Sequence, residues 1–146
     1  MKNPQKIKRV QLKLNPIDEF IILGIVSTEP DYKLSLSINR KFSISLRNAT
    51  PVKANDIPGE ELIFSRFTDN RMAPGVVFNL VSNRIDKKFL LKNLKNVDYI
   101  FQVYDPENEH DRDYIANKLR EIDSINAVFK IDLSTFKDKN LHFLIQ

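Results

Sequence analysis

Between Val97 and Ile131 the hydrophobic pattern of this chain changes period twice, and that change restricts the fold more than any other feature. Val97 to Tyr104 (VDYIFQVY) is apolar on both faces and predicts a central strand. Asp105 is placed to N-cap a helix, Pro106 fits its first position, and Glu107 suits the positive end of its dipole. Ile115, Leu119 and Ile122 then recur as one apolar stripe, flanked by Tyr114. Ile125, Ala127, Phe129 and Ile131 alternate as a closing strand. Strand, helix and strand within 35 residues predict a right-handed crossover unit.

A second such unit is readable upstream. Phe20 to Val26 (FIILGIV) is a continuous, β-branched run that suits a strand buried on both faces. Pro16, Asp18 and Glu19 just before it are a competing helix-start signal, and the strand is the preferred reading. Leu34, Leu36 and Ile38 alternate like a strand, yet Leu34, Ile38 and Phe42 share one helical face. Thr28 to Asp31 has the form of a capping box, so a helix is expected over 30–42, followed by a short strand over 43–47. Pro51, Asn55, Asp56, Pro58 and Gly59 predict a loop over 49–60. Strands over 62–68 and 76–84 then follow as a hairpin, with the turn at Asp69–Arg71 and Pro74-Gly75. Upstream of all this, Val10, Leu12 and Leu14 alternate as a half-buried strand.

The fold class expected is α+β: a single, mostly antiparallel sheet with about two helices on one face. If residues 20–47 form the second unit, the arrangement is ferredoxin-like, enlarged by a hairpin. The 146 residues fit one domain, with residues 1–6 as a flexible basic arm, and the tail from Leu133 packs back on it.

Composition removes several chemistries. Cysteine is absent, which excludes disulfides, thiolate catalysis and thiolate-held metals. Three glycines cannot build a glycine-rich phosphate loop. The residues up to Lys13 show no secretory pattern, and the Phe20–Val26 run is far short of the roughly 20 residues that span a bilayer, so a cytoplasmic protein with no membrane partner is expected.

Lys2, Lys6, Lys8, Arg9 and Lys13 place five positive charges in the first thirteen residues, whereas the rest carries 18 bases and 19 acids. The pI of about 9.3 is therefore assigned to the arm. Lysines guarding a strand edge account for it most simply. Lys6, Lys8 and Arg9 are also the candidate contacts for a nucleic-acid partner.

The stretch from Leu90 to Tyr99, ending in Val97-Asp98-Tyr99, resembles the segment that names the IPExxVDY family of small uncharacterised bacterial proteins. The proline and glutamate of that segment are absent here. Phe20 to Ser27 with Asp31-Tyr32-Lys33-Leu34, and Phe129 to Asp132, are similar to the same family. The resemblance implies a helix after Asp31-Tyr32 and implies no known activity, ligand or partner.

Asp98, beside Tyr99, is the candidate binding position of most interest. A carboxylate within an apolar strand requires a partner and has its pKa raised by burial. The simpler role is a strand-end aspartate that takes backbone N–H groups of the loop at Asn93 to Asn96. His110 lies among Glu107, Glu109, Asp111 and Asp113, and these read as solvated acids at a helix start rather than metal ligands. His142 stands alone on an apolar tail. Phe64, Phe67, Tyr99 and Phe101 read as core rather than as a stacking platform. No catalytic, cofactor or metal residue is assigned. The expected function is a non-enzymatic binding or protein-interaction domain, working as a homodimer or with another protein. The alternatives are nucleic-acid binding through the arm and a small enzyme centred on Asp98.

Overall fold

The computed structural model describes residues 16–57 and 59–145. The alternating stretch at Val10–Leu14 and the arm with Lys6, Lys8 and Arg9 lie outside the described residues. The elements are β1 (Phe20–Val26), α1 (Asp31–Phe42), β2 (Arg47–Ile57), β3 (Glu60–Asp69) and β4 (Val77–Ser82). They continue with β5 (Arg84–Ile85), β6 (Lys88–Phe89), β7 (Tyr99–Tyr104), α2 (Arg112–Arg120) and β8 (Ala127–Ile131). Six strands form one sheet in the order β2-β3-β4-β7-β1-β8, every neighbour antiparallel, while β5 and β6 form a small separate ladder. The expected α+β class is the one found. Strands β8-β1-β7-β4 keep the ferredoxin-like order, and β3 and β2 extend it past β4.

The sheet is covered on both faces, by different means. On one face Leu23, Ile25, Phe101, Val103, Phe78 and Leu80 pack against Leu34 and Ile38 of α1 and Ile115, Ala116 and Leu119 of α2. On the other, Ile22, Ile100, Val81, Phe64 and Val52 pack against Leu90, Leu91 and Val97 of the β4–β7 connection and Leu141 and Leu144 of the tail. Alternation along β1 sends Ile22 to one core and Leu23 to the other, which is why this strand is apolar throughout. Each fully buried Leu or Ile contributes roughly 2 kcal/mol by removing apolar area from water.

Helix α1 carries Asp31 in its first turn and Arg40 and Lys41 in its last, matching the dipole, and stops where Ser43 takes a left-handed conformation with φ of 55°. Its predicted capping box does not form. Pro30 occupies the cap without a side-chain bond, and its carbonyl accepts from Lys33 and Leu34.

Three expectations are corrected. The loop expected over 49–60 is a strand, β2, joined to β3 through Gly59 at φ of 86°. Proline is tolerated because β2 is the sheet edge, and register shifts between Ala49 and Val52 and between Ala54 and Ile57 absorb the irregularity. The short strand over 43–47 is instead a connector, held where Asn39 exchanges two hydrogen bonds with the backbone of Leu46. Finally, α2 starts at Arg112 rather than near Pro106. Asp105 accepts from the N–H groups of Glu109 and His110, Asn108 turns left-handed at φ of 52°, and the true N-cap is Asp111, which accepts from Tyr114.

Candidate functional site

Asp98 sits one residue before β7, and its side chain is 19% exposed. Its Oδ2 accepts from the backbone N–H of Ser27 at 2.9 Å, and its Oδ1 lies 3.6 Å from Arg84 Nη1. Its own N–H donates to Ile25 O and its carbonyl accepts from Asn83. Asp98 is thus a strand-end tie, as the simpler reading expected. The N–H it takes belongs to the end of β1 rather than to the loop at Asn93 to Asn96.

Tyr99 points to the helix side, where its hydroxyl donates to Glu29 O at 2.5 Å. Burial pushes its phenol up to about 12, reinforced by the carboxylates of Asp31, Asp98 and Glu29. The structure therefore brings Asp98 and Tyr99 together beside an open groove of about 810 Å³ bordered by Ser27, Glu29, Arg84 and Lys95. Lys6, Lys8 and Arg9 are outside the described residues and are not placed beside them.

His110 does not gather the surrounding acids. Its Nδ1 lies 3.3 Å from Asp105 Oδ1, and its ring stands edge-on to Phe78. Among the described residues no group of three or more histidine, aspartate or glutamate side chains has the geometry of a metal site. His142 Nδ1 lies 2.9 Å from Lys139 O. Phe64, Phe67, Tyr99 and Phe101 are all buried, so they are core residues.

A different site emerges at the other end of the sheet. Parity along β3 places Leu62, Phe64, Arg66 and Thr68 on the face opposite the helices. Register then lays Arg47, Thr68, Asn79 and Gln102 in one row across four strands. Thr68 Oγ1 donates to Asn79 Oδ1 at 2.5 Å, Asn79 Nδ2 to Gln102 Oε1 at 2.7 Å, and Gln102 Nε2 to Leu144 O at 2.5 Å. The Thr68–Asn79 end of this chain of bonds lines a cleft of about 620 Å³.

Among the described residues three arginines reach that cleft, against one acid. Asp69 is already engaged: Arg71 bonds both its oxygens at 3.0 and 2.8 Å, and the Ser45 N–H donates to it at 2.8 Å. The Arg71 guanidinium, aided by the Ser45 and Arg71 N–H groups and opposed by desolvation, holds the Asp69 carboxyl down at about 2. Among the described residues neither Arg47 nor Arg66 is paired with a carboxylate. Among the described residues Arg47 Nε bonds Ser45 Oγ, at 3.3 Å, and Arg66 Nε is buried with no hydrogen-bond partner. A buried, unmade N–H bond costs about 1–3 kcal/mol unless something supplies an acceptor.

Sequence reasoning passed over Arg47 and Arg66. The available signal was parity: a strand read as Leu62-x-Phe64-x-Arg66-x-Thr68 sets an arginine on a face that begins apolar. No helix among the described residues is long and apolar enough to cross a membrane. Compared with known proteins, the chain matches no protein-family model and no curated protein sequence.

Proposed function

We propose that this protein is a cytoplasmic, non-enzymatic binding domain that holds an oxygen-rich anion between Arg47 and Arg66. The observation that carries this reading is the buried, unpartnered Arg66 Nε in a cleft whose one acid is consumed by Arg71 and Ser45. A guanidinium presents its donors as a planar fork matched to carboxylate or phosphate. The hydroxyl of Thr50 and the side-chain N–H groups of Asn48 and Asn79 supply further bonds to such a ligand. Binding is favoured over catalysis because Asp98, the acid with the best claim to chemistry, is committed to the Ser27 N–H and faces Arg84. Membership of the IPExxVDY family belongs to the same proposal, supported by Val97-Asp98-Tyr99 and the helix that begins with Asp31-Tyr32.

Titration with inorganic phosphate and with citrate tests the reading. Either ligand is expected to raise the melting temperature by mass action, and Arg66→Gln to weaken binding at least about tenfold. Because Arg66 Nε has no hydrogen-bond partner among the described residues, the same variant is expected to fold with undiminished stability. Indifference of the wild type to both anions, or equal binding by the variant, overturns it.

A further inference from the structure

Positive charge is concentrated in a second place, within the folded part of the chain. Residues 84–95 (RIDKKFLLKNLK) carry five bases and one acid, while the rest of residues 14–146 carries thirteen bases and eighteen acids. The pI is therefore not a property of the arm alone. This segment is the β4–β7 connection, and it is held firmly. Asn83, with 0% exposure, donates to Leu94 O and Val97 O and accepts from the Leu91 N–H. Further along, the Asn93 N–H donates to Asp138 Oδ2 at 3.0 Å.

Between this connection and β3 lies a groove of about 370 Å³. Leu62 and the half-buried Phe89 give it apolar surface, and Lys87, Lys88, Lys92 and Lys95 stand around it. Among the described residues Glu60 is the one acid lining it, and Lys88 pairs with that carboxylate. The surface is thus cationic around an apolar patch, and its scaffold is built before any ligand arrives.

We infer that this groove is a docking site for an acidic, extended segment of a partner protein that carries one bulky apolar side chain. Charge complementarity selects the acidic segment, and the Leu62–Phe89 surface selects the apolar anchor. A nucleic acid satisfies the lysines but not the groove. Single-strand binding relies on aromatic faces that stack successive bases, and among the described residues the one aromatic lining the groove is Phe89, half-buried in the β5–β6 ladder. This site is independent of the arginine cleft.

Fluorescence anisotropy distinguishes the cases, using a labelled peptide with one leucine flanked by glutamates. Its comparators are the same peptide with glycine for leucine, and a labelled oligo-dT of roughly 20 nucleotides. The leucine peptide is expected to bind at least about tenfold more tightly than the glycine peptide, and more weakly as salt rises. The double variant Lys87→Glu/Lys95→Glu, at two exposed positions, is expected to abolish binding while leaving the melting temperature unchanged. Arg66→Gln is expected to bind like wild type. Failure of the leucine peptide to bind, equal affinity for both peptides, or tighter binding of the oligonucleotide overturns the inference.

Discussion

The two faces of the sheet are both buried, but they are assembled from different physics. The helix-covered face is held by apolar stripes: Leu34 and Ile38 of α1 and Ile115 and Leu119 of α2 fit onto alternate residues of β1, β4 and β7. The other face is covered by largely irregular chain, whose backbone polar groups are paired regularly only in the short β5–β6 ladder and the single turn at Leu141–Phe143. Buried amides take over that task. Asn83 satisfies Leu91, Leu94 and Val97, Gln102 satisfies Leu144, and Asn140 satisfies Leu90. Apolar packing tolerates an imperfect fit, whereas a hub of hydrogen bonds fails several groups at once. Both proposed sites lie on this second face, where polar side chains already face inward.

The largest expected effect separates the two modes directly. Leu34 and Asn83 are both fully buried. Leu34→Ala removes packing on the helix side and is expected to cost about 3 kcal/mol. Asn83→Ala strands the Leu91 N–H and two carbonyls, with an expected loss of about 4 kcal/mol despite the smaller apolar area removed. Urea denaturation gives both numbers. Hydrogen exchange is expected to lose protection at Leu91 to Val97 in the second variant only. An Asn83→Ala cost well below that of Leu34→Ala breaks the comparison.

What was legible in the sequence follows the same division. Periodic burial announces itself locally, so β1, β7 and the apolar stripe of α2 were readable from spacing, whereas Leu34, Leu36 and Ile38 fitted a strand as well as the helix α1 that they form. Edge position does not. Pro51, Asn55 and Asp56 carry turn chemistry, and only the open side of β2 makes them acceptable in a strand. Asp98 was identifiable as a polar residue out of place, yet its partner, the N–H of Ser27, lies 71 positions away. The cleft was hidden for the same reason: Arg47 and Thr68 meet through strand register, and no local pattern brings them together.

A smaller effect tests how closely the irregular layer approaches the sheet. Gly24 lies in β1, and a Cβ there meets Val97 Cγ2 at 2.8 Å and Cγ1 at 3.2 Å. Gly24→Ala is therefore expected to cost about 2 kcal/mol through overpacking. Combining it with Val97→Ala relieves the clash, so the double variant is expected to lose less than the two single variants summed. Additive losses show that the connection yields without strain, and the layer is then softer than its hydrogen bonds imply.

The helix side has a polar tie of its own, and it is expected to be the weakest of the three. Asp69, 5% exposed, anchors the Ser45 N–H on the connector between α1 and β2 and is bonded by Arg71, whose side chain is 60% exposed. Its carboxyl is held at about 2 against an ordinary 3.8, so the folded state favours the ionised form. The stability this supplies is present above about pH 4 and is lost as pH falls toward 2. Solvent screening at the exposed Arg71 leaves an expected contribution of about 1 kcal/mol. Asp69→Asn keeps an acceptor for the Ser45 N–H but no charge. The difference in unfolding free energy between wild type and variant is expected to be about 1 kcal/mol at neutral pH, to shrink between pH 4 and 2, and to narrow in high salt. A difference that persists unchanged to pH 2 shows that hydrogen-bond geometry, rather than charge, makes the tie. The helix side then relies on the same kind of polar anchoring as the face opposite.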